Sequence, residues 1–295
     1  MEKLVGMVGL GIMGGAMARN LVADGWRVLG YDPDAARRAE AAADGVHARP
    51  GLADVAAEAR VLVTSLPGPG PLMETARALA GAGLARRVVV ETSTLALADK
   101  EAAARILEEA GHAALDCPLS GTGAQAKVRD LVVYASGDAA EIAALQPLFM
   151  GFAREAHDVG PYGNGSRMKF VANLLVAIHN VAAAEAMVLG MKAGLDPHQL
   201  VRLIGGGAGG SRMFQMRAPM MAEARYDPPT MRVSTWQKDM DVIAAFAAAV
   251  GAPTPLFART APIYAAALEQ GLGGQDTAAV CAVLERSAGM PARGA

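Results

Sequence analysis

Met7-Val8-Gly9-Leu10-Gly11-Ile12-Met13-Gly14-Gly15-Ala16-Met17-Ala18-Arg19-Asn20-Leu21 decides the fold. Gly9, Gly11 and Gly14 form a G-x-G-x-x-G run that follows a short apolar strand, Lys3 to Val8, and opens into an Ala/Met-rich helix. A chain with 34 glycines can produce such a run by chance, so its context carries the argument. A strand, a tight turn and a helix N-terminus together aim backbone N–H groups and a partial positive charge at one point, which suits a pyrophosphate. Gly9 permits the turn, Gly11 leaves room for the phosphates, and Gly14 lets the helix lie close to the strand. Leu10, Ile12 and Met13 then supply backbone to the same cradle. Asp32 ends a second apolar strand, Arg27 to Tyr31, 23 residues past Gly9. A carboxylate at that interval meets the ribose hydroxyls of NAD and repels the additional phosphate of NADP, so NAD is the expected cofactor. The stretch Asp32-Pro33-Asp34 also reads as a turn and N-cap for a helix beginning near Ala35.

A length of 295 residues exceeds the usual size of one core and implies two domains. With 53% hydrophobic and 19% charged residues the chain is a well-buried globular protein, and a net charge of −2 offers neither a basic face for nucleic acid nor an anchor for lipid. Cys117 and Cys281 lie far apart in apolar contexts, and the five histidines, His47, His112, His157, His179 and His198, show no ligand spacing, so no metal is expected. The N-terminus enters the first strand without a signal-like segment, and a cytoplasmic protein is expected. The longest apolar stretch, Phe170 to Leu189, is interrupted by Asn173, His179, Asn180 and Glu185, which suggests a buried helix and not a membrane span.

The first half alternates β-branched runs with Ala-rich stretches, the pattern of an α/β Rossmann-type domain with a parallel sheet, expected over residues 1–162. Its strands are expected at Leu4 to Val8, Arg27 to Tyr31, Val61 to Ser65, Val88 to Glu91, Ala113 to Cys117 and Leu131 to Ala135. Leu66-Pro67 and Thr92-Ser93-Thr94 follow strand ends, where open sheets of this kind hold ligands. From residue 163 to 295 strand signals vanish, and an all-α domain is expected with helices at Ser166 to Gly194, Pro197 to Ile204, Pro219 to Arg225, Thr235 to Val250 and Pro255 to Gln270. The first of these is apolar around most of its circumference and needs cover on every side, which places it through the middle of the domain with a face against another subunit. The glycine run 205–210 should break the helices as a mobile loop, and Ser287 to Ala295 reads as a frayed tail.

Lys169, Asn173 and Asn180 stand at i, i+4 and i+11, on nearly one face of that apolar helix. Burying them demands polar partners, from a ligand or from neighbouring loops. Asp116-Cys117-Pro118-Leu119-Ser120-Gly121-Thr122-Gly123 follows a strand and ends in glycine-flanked hydroxyls, a nest suited to a carboxylate, although the same composition also makes plain turns. Lys238-Asp239 is a further candidate, with surface charge as the ordinary alternative.

These segments together resemble the β-hydroxyacid dehydrogenase family, which includes 3-hydroxyisobutyrate dehydrogenase, tartronate semialdehyde reductase and, more distantly, 6-phosphogluconate dehydrogenase. The likeness spans essentially the whole chain. It rests on G-L-G-x-M-G-x-x-M-A-x-N-L at Gly9 to Leu21, Leu66-Pro67, D-x-P-x-S-G at Asp116 to Gly121, the run Gly160, Gly163, Gly165, Lys169, Asn173, and Lys238-Asp239. The resemblance implies hydride transfer between NAD and a small 3-hydroxy acid or its semialdehyde, with Lys169 as the acid/base. It further implies that Ser120, Gly121 and Thr122 hold the substrate carboxylate, that Asn173 positions the reacting oxygen, and that Leu66, Pro67, Thr94 and Lys238 line the nicotinamide side. Desolvation, with a nearby cation such as Lys238, would bring the lysine into working range. Thr122, Arg129 and Ala172 depart from the family's usual glycine, glycine and asparagine, which leaves the substrate open. The alternatives are an NADPH-linked reductase of glyoxylate, succinic semialdehyde or tartronate semialdehyde, and a non-catalytic NAD-binding scaffold.

Overall fold

The computed structural model describes residues 3–293. Residues up to Lys169 form one compact unit and residues from Phe170 onward a second. In chain order the first unit runs β1 (Leu4–Val8), α1 (Ile12–Ala23), β2 (Arg27–Tyr31), α2 (Ala35–Ala43), β3 (His47–Ala48), α3 (Leu52–Glu58), β4 (Val61–Thr64), α4 (Pro69–Gly81), β5 (Val88–Glu91), α5 (Leu97–Glu109) and β6 (Ala113–Asp116). It continues with β7 (Leu119–Ser120), α6 (Gly123–Lys127), β8 (Val132–Ala135), α7 (Ala139–Ala144), α8 (Gln146–Phe152) and β9 (Glu155–Asp158). The helix α9 (Asn164–Lys192) begins in this unit and continues in the second, which adds α10 (Pro197–Ile204), α11 (Arg212–Glu223), α12 (Val233–Ala249), α13 (Pro255–Glu269) and α14 (Val280–Ser287).

Six parallel strands make the main sheet in the order β3-β2-β1-β4-β5-β6. Successive strand residues point to opposite faces, so Val28, Val63 and Val90 join one core while their neighbours Leu29, Leu62 and Val89 join another. Helices α1, α6 and α8 cover the first face and α3, α4 and α5 the second. Two buried faces explain why the strands read as unbroken apolar runs. The strand order reverses between β1 and β4, and the carboxyl ends flanking that reversal are where such a sheet receives a nucleotide.

One strand is not where the alternation suggested. The run from Leu131 forms β8, which belongs to a separate three-stranded sheet, β7-β8-β9, antiparallel to β7 and parallel to β9. Asp116 and Ser136 exchange both backbone bonds at 2.9 Å, and this antiparallel bridge turns the chain away from the parallel edge. β9, Glu-Ala-His-Asp, carries no apolar run and was invisible to the pattern.

In the second unit α11 starts at Arg212 and not at Pro219, because Ser211 Oγ accepts the Phe214 N–H at 3.0 Å and caps it; Pro219 lies inside the helix. The run 205–210 does end α10, in turns closed by Gly207 N–H to Ile204 O and Gly210 N–H to Gly207 O. The C-terminal stretch is not frayed over its described part. Its first residue, Ser287, ends α14, the Met290 N–H donates to Glu285 O at 2.9 Å, and the Arg293 guanidinium pairs with Glu285 and donates to Met221 O at 2.8 Å and Ala222 O at 3.0 Å. Residues 294–295 of the expected tail lie outside the described residues. α9 has the length and hydropathy of a membrane span, with 44% of that window buried in protein. Asn180 settles its surroundings: fully buried, it donates to Tyr264 Oη and Thr277 O, both at 2.9 Å, so α9 is a core helix of the second unit.

The buried pair Arg217–Asp276, 2.9 Å, is joined by Thr230 Oγ1 and N–H, each 2.7 Å from Asp276 Oδ2. Although burial opposes it, the guanidinium and these donors hold the Asp276 carboxyl below the usual range. Its stabilising contribution is therefore complete above the unfolded-state value near 4 and is lost as the pH falls through the lower folded-state value. Asp276→Asn should cost about 1–3 kcal/mol at neutral pH and flatten the loss of stability below about pH 4, as read by denaturant unfolding across pH.

Candidate active site

The glycine turn is built by steric necessity. Gly9 has φ +90°, and a Cβ there would lie 2.2 Å from Ser65 O, at the end of the neighbouring strand β4. A Cβ on Gly14 would lie 1.9 Å from Gly9 O. Gly11 is the N-cap of α1 with no side-chain cap, so the first N–H groups of the helix face outward beside a residue that offers no bulk. These are the features a pyrophosphate needs. Asp32 is buried, accepting the Leu10 N–H at 2.8 Å on Oδ2 and the Asp34 N–H at 2.9 Å on Oδ1. It braces the loop, while Asp34 is the residue that caps α2, through the Ala36 N–H at 2.8 Å. Arg37, half-exposed, sets Nη1 3.7 Å from Asp32 Oδ2 and 3.2 Å from where a Gly11 Cβ would stand.

Across the strand reversal, the Leu66 N–H donates to Ser93 Oγ at 2.7 Å, and the Ser93 N–H donates to Glu91 Oε1 at 2.9 Å. This tie fixes the Leu66-Pro67 turn against the Thr92-Ser93-Thr94 segment. Ser120 ends β7, and Gly121 has φ +141°. Thr122 N-caps α6 in a capping box with Gln125: its N–H donates to Oε1 at 3.0 Å and its hydroxyl to the same oxygen at 3.2 Å. Thr122 thus also caps α6, a role hidden behind its place beside Ser120. A Cβ on Gly123 would lie 2.6 Å from Ile12 Cγ2, which puts this segment against the first residue of α1.

Lys169 is 7% exposed, one turn into α9. The turn is seated by Gly165, where a Cβ would meet Tyr134 O at 2.4 Å, Asp116 O at 2.6 Å and Pro118 Cδ at 2.9 Å. The helix that bears the lysine therefore lies on the Asp116-Cys117-Pro118 stretch that leads to Ser120. In the second unit Asn173 is buried and donates to Asp239 Oδ2 at 3.1 Å, and the half-exposed Lys238 lies 3.8 Å from Asp239 Oδ1. Asn180, on the same nominal face, bonds only elements of that unit among its described partners. Sequence reasoning missed Glu91, Lys100, Ser136 and Ser166, which surround Asp116; the available signal was a carboxylate closing each of two adjacent buried strands. Among the described residues no group of three or more His, Cys, Asp or Glu could hold a metal ion.

Residues 4–160 match the family described as the NAD binding domain of 6-phosphogluconate dehydrogenase, and residues 163–284 that described as NAD-binding of NADP-dependent 3-hydroxyisobutyrate dehydrogenase. The chain belongs to the 3-hydroxyisobutyrate dehydrogenase-like family. It is 31% identical to L-threonate dehydrogenase of Cupriavidus necator, covering 95% of both chains. It is 29% identical to 2-(hydroxymethyl)glutarate dehydrogenase of Eubacterium barkeri, over 100% of this chain and 99% of the relative. The structure of Mycobacterium tuberculosis 3-hydroxyisobutyrate dehydrogenase with L-serine superposes with a TM-score of 0.88 at 28% identity, covering 96% of this chain and 99% of that one. The family is one of NAD(P)-binding β-hydroxyacid oxidoreductases, and the Rossmann unit followed by an all-helical unit is its architecture.

Proposed function

We propose that the protein transfers hydride between NAD and a small 3-hydroxy acid or the corresponding semialdehyde, with Lys169 as the proton-exchanging group. One observation carries this: the only lysine of α9's first two turns is buried on a turn docked by Gly165 against the segment leading to Ser120. Bound nicotinamide supplies the two-electron acceptor for the hydroxyl-bearing carbon. The chain must do the rest. Oxidation leaves the hydroxyl proton to be removed as the carbonyl forms, and a neutral Lys169 amine takes it; in reduction the ammonium returns it. Ser120, Gly121 and Thr122 hold the carboxylate, Asn173, one turn beyond Lys169, orients the reacting oxygen, and Leu66, Pro67, Thr94 and Lys238 border the nicotinamide. The relatives' names support a substrate with a hydroxyl and a carboxylate on a short carbon frame. Exposed Val171, Leu175 and Leu189 on α9 support assembly as a homodimer or homotetramer.

Turnover of 3-hydroxyisobutyrate, glycerate, threonate and serine with NAD and NADP, followed at the reduced nicotinamide band, tests the reading. Silence across the panel with intact nucleotide binding would leave a scaffold. The carrier preference has two opposed determinants. Asp32 retains lone pairs beyond its two backbone bonds and can accept from ribose hydroxyls. Arg37 offers a half-exposed guanidinium at the same rim, where a 2′-phosphate would lie. Asp32→Asn should lower the NAD-over-NADP ratio of kcat/KM by about fivefold, and Arg37→Ala should raise it by about as much, each the worth of roughly 1 kcal/mol at a solvent-screened site.

A further inference from the structure

β5 and β6 pair in register so that Glu91 lies beside Asp116, and both carboxylates are buried. Two anions so placed repel strongly in a poorly solvated interior. Lys100, from α5 and fully buried, answers them: its Nζ is 2.6 Å from Glu91 Oε2, 2.5 Å from Asp116 Oδ1 and 3.0 Å from Ser93 O. Desolvation works against the ammonium, but the two carboxylates outweigh it and keep Lys100 charged. Such a cluster adds little stability over well-packed apolar side chains, so its value lies in what it holds in place.

Asp116 holds the start of α9. Its Oδ2 accepts the Ser166 N–H and its Oδ1 the Ser166 hydroxyl, both at 2.8 Å. Ser136 Oγ, 2.9 Å from Asp116 O, accepts the Gly165 N–H at 3.0 Å. Two orphan N–H groups of the helix are thus capped by side chains from the sheet, and Lys169 stands three residues beyond Ser166. The other arm of the cluster reaches Leu66: Glu91 bonds the Ser93 N–H, and Ser93 Oγ accepts the Leu66 N–H.

We propose that Lys100 is a positioning residue: paired with Glu91 and Asp116, it fixes in one frame the helical turn that carries Lys169 and the Leu66 turn. The inference rests on the reading of Lys169 as the proton-exchanging group, and its test separates the two. Glu91→Gln/Lys100→Met keeps the cluster's net charge at that of Asp116 alone and leaves no pair of facing anions. With the ties loosened, kcat should fall about 10- to 100-fold, the cost of a shift of about 1 Å in a reacting group, while KM for substrate and nucleotide stays within about threefold. Acetylation of Lys169 in the nucleotide-free protein, read by mass spectrometry of its peptide, should accelerate at least about fivefold as water reaches the turn. Ser166→Ala, which cuts the same path at its far end in a helix that accepts alanine readily, should move both readouts in the same direction by less, and should add nothing to the double variant.

A folded double variant, or a folded Ser166→Ala, with wild-type kcat and wild-type labelling overturns the proposal. Additive effects of the two changes also overturn it, since they would act by separate routes. If the wild-type protein oxidises nothing on the panel, labelling alone decides: faster labelling in the variants sustains the positioning role while the catalytic reading falls, and unchanged labelling removes the positioning role.

Discussion

Lys169→Ala is expected to lower turnover at least about a thousandfold and to leave the dissociation constant for NAD(P) within about threefold. The size follows from the chemistry. Without a group to take the hydroxyl proton, the departing hydride would leave a protonated carbonyl, and positioned proton transfer contributes about 10²- to 10⁴-fold in rate. The selectivity follows from the donors proposed for the pyrophosphate, the backbone N–H groups of the turn from Gly9 to Gly14, which a side-chain change at position 169 leaves alone. Lys169→Arg separates two explanations. Arginine keeps the charge but stays protonated, so it cannot act as a base, and should be as inactive as alanine. Activity near wild type in the arginine variant would make the group an electrostatic anchor. Loss of nucleotide binding in either variant, measured by titration, would move Lys169 into the cofactor site and leave the proton without an acceptor.

What the sequence made legible is what the backbone itself demands. Gly9 and Gly14 announce a turn and a close crossing because no other residue meets those conditions, and the structure gives both the expected geometry, whereas a Cβ on Gly11 would meet only the flexible end of Arg37. The strands buried on both faces were readable as apolar runs for the same local reason. Where the deciding contact comes from far along the chain, the pattern was silent. Asn180 shares a helical face with Lys169, yet its partners are Tyr264 and Thr277, 84 and 97 residues on. Leu131 to Ala135 has the composition of a central strand, and only the Asp116–Ser136 bridge diverts it into another sheet. Thr122 reads as a candidate ligand from its neighbours, and its second role as the cap of α6 shows only once Gln125, three residues later, is set against it. Lys100, in an Ala-rich helix, has the look of a solvated charge until β5 and β6 are set side by side.

Gly14→Ala is expected to cost about 3 kcal/mol and at least tenfold in NAD(P) affinity together. The new Cβ would lie 1.9 Å from Gly9 O and 3.0 Å from Gly9 C, backbone atoms of the turn proposed to bind phosphate, with Ser65 Cβ at 3.3 Å closing the other side. No flexible side chain can yield there, so α1 must lift off the turn, and lifting it displaces the N–H groups aimed at the pyrophosphate. The loss should appear as a fall of about 6–12 °C in the first thermal transition and as a weaker nucleotide titration in the same variant. Gly81→Ala, at the last residue of α4 where a Cβ meets nothing within 4 Å, is the matched comparison and should be neutral or stabilising by up to about 1 kcal/mol. A Gly14→Ala protein that melts with the wild type and binds nucleotide as tightly would mean that the strand and helix are held apart in solution, and the reading of this run as a phosphate cradle would go with it.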